Sequence, residues 1–316
     1  MYRLSISFFS CILFLVSLPV SANEPGYGIT TMSVINLRQT PSFAAEMGSQ
    51  TLMGTPLRIL ETTNGWIRVM TPEGYISWST ESGVKVVSET EYKAWNAAPK
   101  IIITDYFTTL FSKPSSTADV VSDVVWGDMV CNLGEKNSYY KVQLPDGRTA
   151  YLKKKSSMPF VKWLDSRRPT AANIISTAKH FIGFPYLWGG TSIKGMDCSG
   201  FTKTCYYLNG IILLRDASEQ AQTGEDVDIS QSLDLLQPGD LIFFGPKKES
   251  VRHVGMYIGN GEFIHSSGYV HISSLISGAP NYDAWNAERL LCAKRILTQI
   301  DLDPGIVSIS KHSYYQ

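Results

Sequence analysis

The stretch WGGTSIKGMDCSGFTKTCYYLNG, residues 188–210, decides how the C-terminal half of this 316-residue chain is interpreted. Phe201 and Cys205 lie four residues apart and therefore share one face of a predicted helix. Asp197 occupies the position of an N-cap, which places Cys198 in the first helical turn. Unpaired backbone N–H groups and the positive end of the helix dipole favour a thiolate there and could also hold an oxyanion.

Two histidines could supply the base that a nucleophilic thiol requires. His253 and His265 flank the turn signal Gly259-Asn260-Gly261, so a predicted hairpin brings them close together. In this hypothesis His253 accepts the thiol proton and later protonates the leaving amine, and His265 orients the ring of His253.

Simpler interpretations exist for each of these residues. Cys198 alone could be a small core residue, and a histidine on a strand is usually a hydrogen-bonded structural residue. Zinc binding by the cysteine and both histidines is a further alternative, but no carboxylate at ligand spacing accompanies them. We therefore expect no metal and no other cofactor. Cys205, about 10.5 Å further along the helix, is too distant for a disulfide with Cys198 and is interpreted as packing.

The segments around this site predict an α+β unit that begins near residue 163. Thr170 is a candidate N-cap and Gly183 a candidate C-cap. The apolar residues at helical spacing between them are Ile174, Ala178, Phe181 and Ile182. Short strands are predicted at 240–245, 254–258 and 262–265. Helices followed by strands are typical of an α+β domain.

The N-terminal half contains an internal duplication with an offset of 73 residues. The residue pairs that this offset superposes include Leu37/Leu110, Pro41/Pro114, Gly54/Gly127 and Trp66/Tyr139. Each copy has short alternating apolar runs separated by turn signals such as Asn-Gly or Asp-Gly. The duplication therefore predicts two small β-barrels.

Residues 1–22 are typical of a secretory signal peptide. Arg3 supplies a positive charge, the stretch up to Val20 is almost wholly apolar, and Val20-Ser21-Ala22 offers small residues for cleavage. The mature chain is predicted to begin near Asn23, in a periplasm or outside the cell, with no stable membrane insertion after cleavage. A retained signal anchor is the alternative, because the apolar stretch approaches the length of a bilayer span.

Charge and cysteine content narrow the classes of partner and fold. Lys+Arg and Asp+Glu are equal at 28 each and no long basic run occurs, so nucleic acid is not expected as a partner. Four cysteines would remain after signal cleavage. An exported chain permits disulfides, but this number is low for a disulfide-based scaffold.

Four motifs in order give the C-terminal half a specific resemblance. They are FPYLWGG at 184–190, DCSGF at 197–201, LQPGDL at 236–241 and HVGMYIG at 253–259. Together they resemble the NlpC-like family of papain-fold peptidases over residues 165–298. The family's Cys-His-His triad falls on Cys198, His253 and His265.

The resemblance also implies residues that contact a substrate. Tyr186 would direct its hydroxyl at the oxyanion, and a pocket for a D-glutamyl residue would be lined by Trp188, Asp197 and Ser199. Core packing of Trp188 and helix capping by Asp197 and Ser199 are the structural alternatives. The run LRDASEQ at 214–220 also resembles the family, in which the aspartate, here Asp216, helps to recognise a free amino terminus. Ser218 is a further substrate-binding candidate, although this run could also be a charged loop before a helix.

The duplicated half resembles bacterial SH3-like domains, which flank the catalytic unit in cell-wall enzymes. By resemblance, the first barrel closes the substrate pocket of endopeptidases that act on peptides with a free L-alanine. Glu46 and Tyr75 are the candidates for contacting the substrate ammonium, because a carboxylate and a hydroxyl match its charge and donors. The second copy has Asp119 and Arg148 at these positions, so only the first barrel is expected to line the site.

The predicted fold class is α+β, with two small SH3-like β-barrels followed by a papain-like α+β catalytic domain. The predicted units are a signal peptide (1–22), two SH3-like domains (23–90 and 91–162), an NlpC-like cysteine peptidase domain (163–300) and a C-terminal tail (301–316). The predicted function is hydrolysis of the γ-D-glutamyl–diamino acid bond in peptidoglycan stem peptides. An amidase that cuts between the sugar lactyl group and L-alanine, or a noncatalytic wall-binding protein, are the alternatives.

Overall fold

The structure is a computed structural model that describes residues 26–247 and 250–316. The predicted signal peptide and its cleavage point before Asn23 lie outside these residues. Within the described ranges, no helix is long and apolar enough to cross a membrane.

The first sheet is antiparallel and seven-stranded. Its strands are β1 (Gly26–Thr30), β2 (Val34–Arg38), β3 (Met47–Leu52), β4 (Pro56–Thr63), β5 (Trp66–Met70), β6 (Ile76–Thr80) and β7 (Val84–Val87). They lie in the order β3-β2-β6-β5-β4-β1-β7. Asn64 and Gly65 connect β4 to β5 with positive φ angles of 44° and 82°, as a tight Asn-Gly hairpin requires. Alternate side chains of the strands point inward to an apolar core.

The second sheet repeats the strand order of the first. Its strands are β8 (Lys100–Ile103), β9 (Phe107–Phe111), β10 (Val120–Val125), β11 (Met129–Lys136), β12 (Tyr139–Gln143), β13 (Thr149–Lys153) and β14 (Ser157–Pro159). Their order is β10-β9-β13-β12-β11-β8-β14. Strands β9 to β13 begin and end 73 residues after β2 to β6. The duplication predicted from the sequence is therefore present in the structure.

Two helices that the sequence pattern does not predict follow the two sheets. They are α1 (Glu89–Ala97) and α2 (Phe160–Ser166). Helix α1 begins with a capping box, in which the Ser88 hydroxyl accepts the Glu91 N–H at 3.2 Å and the Ser88 N–H donates to the Glu91 carboxylate at 2.8 Å. Trp95 on α1 is buried and donates its indole N–H to the Gly54 carbonyl at 3.2 Å. Helix α1 therefore packs against the first sheet as well as linking it to the second.

The C-terminal half is the predicted α+β unit. Its elements are α3 (Ala171–Lys179), β15 (Thr191–Ser192), β16 (Gly195–Met196), α4 (Cys198–Tyr207), β17 (Ile211–Leu213), α5 (Ala217–Gln220), β18 (Glu225–Val227), β19 (Leu241–Phe244), β20 (His253–Gly259), β21 (Glu262–Ser267), β22 (Tyr269–Ser274), α6 (Ala284–Ala287), β23 (Leu290–Arg295) and β24 (Ile306–Ser308). The main sheet has the order β18-β23-β19-β20-β21-β22. Helix α4 packs on β20. Phe201 and Cys205, which were predicted to share one face of this helix, are fully buried.

Helix α3 corrects two details of the sequence interpretation. Thr170 is its N-cap, as predicted, but the helix is capped at its C-terminus by His180 rather than Gly183. Gly183 lies in the following turn with a φ of 89°. Ile182, predicted to continue the helical spacing, lies beyond the end of the helix and is 48% exposed.

Residues 301–316, predicted to be a tail, are packed against the rest of the chain. Strand β24 pairs with β17, and Ile306 and Ile309 are buried. The Tyr314 carbonyl accepts hydrogen bonds from the Tyr92 hydroxyl at 3.1 Å and the Asn96 amide at 2.9 Å. This segment therefore connects the α+β unit to helix α1.

Polar contacts hold the first sheet against helix α4 and the β15–β16 hairpin. Lys203 on α4 pairs with Glu73 at 2.7 Å, and both side chains are largely buried. The Gln50 side-chain oxygen accepts the Thr191 N–H at 3.0 Å and the Ser192 hydroxyl at 2.9 Å. These contacts fix the loops of the first sheet relative to Cys198.

Candidate active site

Cys198 is the first residue of helix α4, as the sequence predicts. The carboxylate of the N-cap Asp197 accepts the Gly200 N–H at 2.7 Å and so caps the N-terminus of the helix, as predicted. The sulfur receives hydrogen bonds from the backbone N–H groups of Ser199 and Val254. Val254 follows His253 directly, so the thiol lies beside the start of β20.

Burial opposes the thiolate that the helix N-terminus was expected to favour. Desolvation, reinforced by the nearby Asp197 carboxylate, raises the pKa of the Cys198 thiol to about 11. The hydrogen bonds from Ser199 and Val254 and the charge of Arg215 act in the opposite direction but do not outweigh it. At neutral pH Cys198 is therefore a neutral thiol, and its activation requires a base.

His253 and His265 form the hydrogen-bonded pair that the hairpin was predicted to create. His253 Nε2 lies 2.7 Å from His265 Nδ1, and His265 Nε2 lies 3.0 Å from the Ser273 hydroxyl. Desolvation lowers the pKa of His253 to about 4 and that of His265 to about 2. Both imidazoles are therefore neutral at neutral pH, and His253 Nδ1 remains as the nitrogen able to accept a proton.

Asp197 is held by a buried network centred on Arg215, which the sequence interpretation missed. Arg215 donates to Asp197 Oδ2 at 2.5 Å, to the Ser199 hydroxyl at 2.9 Å and to the Ser49 hydroxyl of the first sheet at 3.1 Å. Asp197 also accepts the Gly189 N–H at 2.9 Å. The carboxylate of Asp197 therefore lines the site but has its hydrogen-bonding capacity engaged within the protein.

A cavity of about 220 Å³ opens over Cys198 between the first sheet and the α+β unit. Its lining contains every substrate-contact candidate named from the sequence: Glu46, Tyr75, Tyr186, Trp188, Asp197, Ser199, Asp216 and Ser218. Gln39, Gly48, Ala217, Val251 and Arg252 complete the lining together with Cys198 and Arg215. Residues more than a hundred positions apart in sequence thus share one cavity.

The first sheet supplies one wall of this cavity through two loops. Glu46 accepts the indole N–H of Trp188 at 2.6 Å, which joins the loop before β3 to the α+β unit. Trp188 is 60% exposed, so the alternative of core packing for this residue is wrong. Tyr75 accepts a hydrogen bond from the Gln39 amide at 2.9 Å. Burial and the nearby Asp216 carboxylate raise the pKa of Tyr75, so its hydroxyl stays protonated.

Two further candidates, Tyr186 and Asp216, line the cavity from the α+β unit. Tyr186 is half-buried, and desolvation with the nearby Cys198 raises its pKa, so it presents a neutral hydroxyl. Asp216 is the N-cap of α5, and its own N–H donates to Glu219 at 3.0 Å. Its carboxylate is half-exposed toward the cavity, and burial raises its pKa. Asp216 therefore precedes a helix, as the alternative of a charged loop before a helix has it, and its carboxylate also lines the cavity.

The cysteines and the potential metal ligands among the described residues complete the description of the site. Cys131, Cys198 and Cys205 are free, in agreement with the packing role given to Cys205. Among residues 26–247 and 250–316, no group of three or more His, Cys, Asp or Glu side chains is arranged to hold a metal ion.

Comparisons with known proteins agree with this architecture. A model of the NlpC/P60 family matches residues 183–289, and one of the bacterial dipeptidyl-peptidase Sh3 domain matches residues 37–83. A gamma-D-glutamyl-L-lysine dipeptidyl-peptidase of Bacillus cereus is 35% identical over 71% of this chain and 68% of its own length. Dipeptidyl-peptidase 6 of Lysinibacillus sphaericus is 28% identical over 80% of this chain and 93% of its own.

A solved structure extends the similarity to the fold. An NlpC/P60 family protein from Bacillus cereus superposes with a TM-score of 0.71 at 28% identity, and the match covers 85% of this chain and 99% of the other. A papain-like unit carrying a thiol at a helix N-terminus and preceded by an SH3-like domain defines a peptidase. The chain belongs to the NlpC/P60 family.

Proposed function

We propose that this peptidase hydrolyses the bond between γ-D-glutamate and a diamino acid in peptidoglycan-derived peptides that begin with a free L-alanine. The names of the relatives support this substrate class, because two of them are gamma-D-glutamyl-L-lysine dipeptidyl-peptidases. The observation that supports the proposal is the shared cavity, which Glu46 and Tyr75 of the first sheet line together with Asp216 and Cys198.

The catalytic roles follow from the protonation states in the site. His253 Nδ1 takes the proton of the neutral Cys198 thiol as sulfur attacks the glutamyl carbonyl carbon. The imidazolium then gives that proton to the leaving amine of the diamino acid, which leaves an acyl group on sulfur. Water, deprotonated by His253, hydrolyses this thioester and releases L-Ala-γ-D-Glu. Tyr186 donates a hydrogen bond to the oxyanion, together with backbone N–H groups at the start of α4.

Recognition of a free amino terminus rests on charge within a confined cavity. Glu46 and Asp216 present carboxylates to the same space, and Tyr75 adds a protonated hydroxyl. An ammonium group bound there would make charge-assisted hydrogen bonds, which are stronger than neutral ones. Trp188, Ser199 and Ser218 would contact the rest of the dipeptide. Asp197, whose oxygens are engaged by Arg215 and backbone N–H groups, would position these residues rather than bind substrate directly.

The domain organisation is proposed with the boundaries that the sequence predicts. We assign SH3-like domains to 23–90 and 91–162, the peptidase domain to 163–300 and the final segment to 301–316. The identical strand order of the two sheets supports a second SH3-like domain. Action on wall peptides outside the cytoplasm, after removal of residues 1–22, is consistent with the family.

The test is a product analysis with the full chain. We expect incubation with L-Ala-γ-D-Glu-L-Lys, or with the diaminopimelate analogue, to release L-Ala-γ-D-Glu, identified by mass spectrometry. Cys198→Ala should abolish turnover. Cys205→Ala, which removes another buried thiol of the same helix, is the matched control and should retain it. Undiminished turnover by Cys198→Ala would remove the proposed nucleophile.

Two further substrates distinguish the alternatives. The N-acetylated peptide should be cleaved much more slowly, because acetylation removes the ammonium that Glu46 and Asp216 would bind. Equal cleavage of both peptides would contradict the recognition model. Release of free L-Ala-peptide from muropeptides, without L-Ala-γ-D-Glu, would instead identify an amidase.

A further inference from the structure

His265 contacts a buried serine that has no assigned role in the reaction. Ser273 lies on β22, and its hydroxyl is 3.0 Å from His265 Nε2. His265 is fully buried and Ser273 is 4% exposed. His265 opposes His271 across the β21–β22 ladder, so Ser273 is its diagonal neighbour on the same face of the sheet.

The hydrogen bonds along this chain can run in only two directions. In one, His253 Nε2–H donates to His265 Nδ1, and His265 Nε2–H then donates to Ser273. In the other, Ser273 donates to His265 Nε2, and His265 Nδ1–H donates to His253 Nε2. A hydroxyl can serve either role, whereas each neutral imidazole carries one proton. The tautomers of both histidines are therefore coupled to the role of Ser273.

Only the first direction is compatible with catalysis. Because His253 Nε2 is engaged by His265, the thiol proton must go to Nδ1 of His253. That nitrogen is a free acceptor only when the ring proton is on Nε2. After proton transfer, both nitrogens of His253 carry protons, so His253 must donate to His265 and His265 must donate onward to Ser273.

We propose that Ser273 is a positioning residue that accepts the His265 Nε2 proton and thereby holds His253 in the tautomer that can deprotonate Cys198. This inference rests on the proposed function, in which His253 is the general base. Without the Ser273 oxygen, the His265 Nε2–H of the productive tautomer is buried with no acceptor. The unproductive arrangement, with Nδ1–H on His253, then becomes the more stable one.

The kinetic test compares two adjacent buried serines. Ser273→Ala should lower kcat about tenfold or more, with KM nearly unchanged, because a buried unsatisfied donor costs that much in equilibrium. Ser273→Thr, which keeps the acceptor, should retain most of the activity. Ser274→Ala is the matched control, since Ser274 is equally buried but its hydroxyl accepts the Ile276 N–H on the other side of the strand. Full kcat in Ser273→Ala would overturn the proposal.

Nuclear magnetic resonance of the unmutated protein gives an independent answer, even if a Ser273 variant does not fold. In the full chain with ¹⁵N-labelled histidine rings, the proton of His265 should be on Nε2 and that of His253 also on Nε2 at neutral pH. Protons on Nδ1 of both rings would overturn the proposal. Failure of the proposed function would be visible separately, as absence of turnover by the unmutated enzyme.

Discussion

The first and second sheets share one backbone plan but differ in the chemistry of their loops. Strands β2 to β6 recur 73 residues later as β9 to β13. Tyr75 on the first sheet faces the cavity and bonds with Gln39, whereas its counterpart Arg148 pairs with Asp146 on the surface of the second sheet at 2.7 Å. The two sheets thus share the apolar alternation of their strands, but only the loops of the first sheet line the cavity above Cys198.

The contacts of the two sheets with their surroundings differ in the same way. Glu73 forms a buried pair with Lys203 of helix α4, but its counterpart Asp146 forms an exposed pair with Arg148. The second sheet meets the α+β unit through aromatic packing of Trp126 against Phe181, at 5.6 Å between ring centres, and through an ion pair of Asp123 with Lys194 at 3.0 Å. The ion pair between the first sheet and the α+β unit is largely buried, whereas that of the second sheet is partly exposed, with side chains about 40% accessible.

The largest difference is expected when these equivalent acidic residues are removed. Glu73→Ala leaves the Lys203 ammonium buried without its partner and should lower the free energy of unfolding by about 3 kcal/mol. Asp146→Ala removes an exposed pair and should lower it by less than about 1 kcal/mol. Urea unfolding followed by tryptophan fluorescence measures both. Equal losses would show that the two contacts do not differ in the way proposed.

A smaller but specific effect is expected at the next equivalent pair. Glu46→Gln removes the carboxylate that would bind the substrate ammonium and should lower kcat/KM for the free-amine peptide about tenfold to a hundredfold. Asp119→Asn, the same change on the second sheet, should leave kcat/KM unchanged. Steady-state kinetics with both variants measures the two values of kcat/KM. A comparable loss in Asp119→Asn would show that substrate binding is not confined to the first sheet.

Gly48 allows a prediction about cavity shape. A Cβ at Gly48 would overlap the Tyr75 hydroxyl and the Gln39 amide, and the second sheet has Val121 at this position. Gly48→Val should displace these flexible side-chain ends and raise KM up to about tenfold, with little loss of stability because they can move. Val121→Gly, the reverse exchange, is the control for activity. An unchanged KM in Gly48→Val would mean that Tyr75 and Gln39 do not shape the substrate site.

The smallest expected effect concerns pH. His253 must be neutral to accept the thiol proton, and burial lowers its pKa to about 4. At saturating substrate, kcat should therefore be constant from neutral pH down to about 5 and fall as the pH passes through 4, well below the ordinary histidine pKa of about 6.5. The same acid limb is expected for Glu46→Gln and Asp119→Asn. An acid limb near 6.5 would indicate a solvated base.

Much of the fold was predictable because it depends on local patterns. The duplication fixes both sheets, the N-cap Asp197 fixes the start of α4, and the Gly-Asn-Gly turn brings His253 and His265 together. Helix α1 was not predicted, although Ser88 and Glu91 have the spacing of a capping box, which indicates the start of a helix. Ile182 was misplaced because helical spacing does not define where a helix ends.

The residues that the sequence did not reveal act through distant partners. Arg215 is buried between Ser49 and Asp197, and nothing in the local run around it distinguishes this from an exposed loop. The contact of Ser273 with His265 is recognisable only once β22 is paired with β21. The preference for a thiolate was inferred from the helix dipole alone, whereas burial, which raises the pKa of Cys198, becomes evident only in the folded chain.

The central claim is that the first sheet completes the substrate site while the second does not. A crystal structure of Cys198→Ala with intact L-Ala-γ-D-Glu-L-Lys tests it most directly. We predict the peptide ammonium within hydrogen-bonding distance of Glu46 or Asp216 beside Tyr75, with the glutamyl carbonyl over position 198. A peptide bound with its amino terminus in solvent, or lying against the second sheet, would contradict the account.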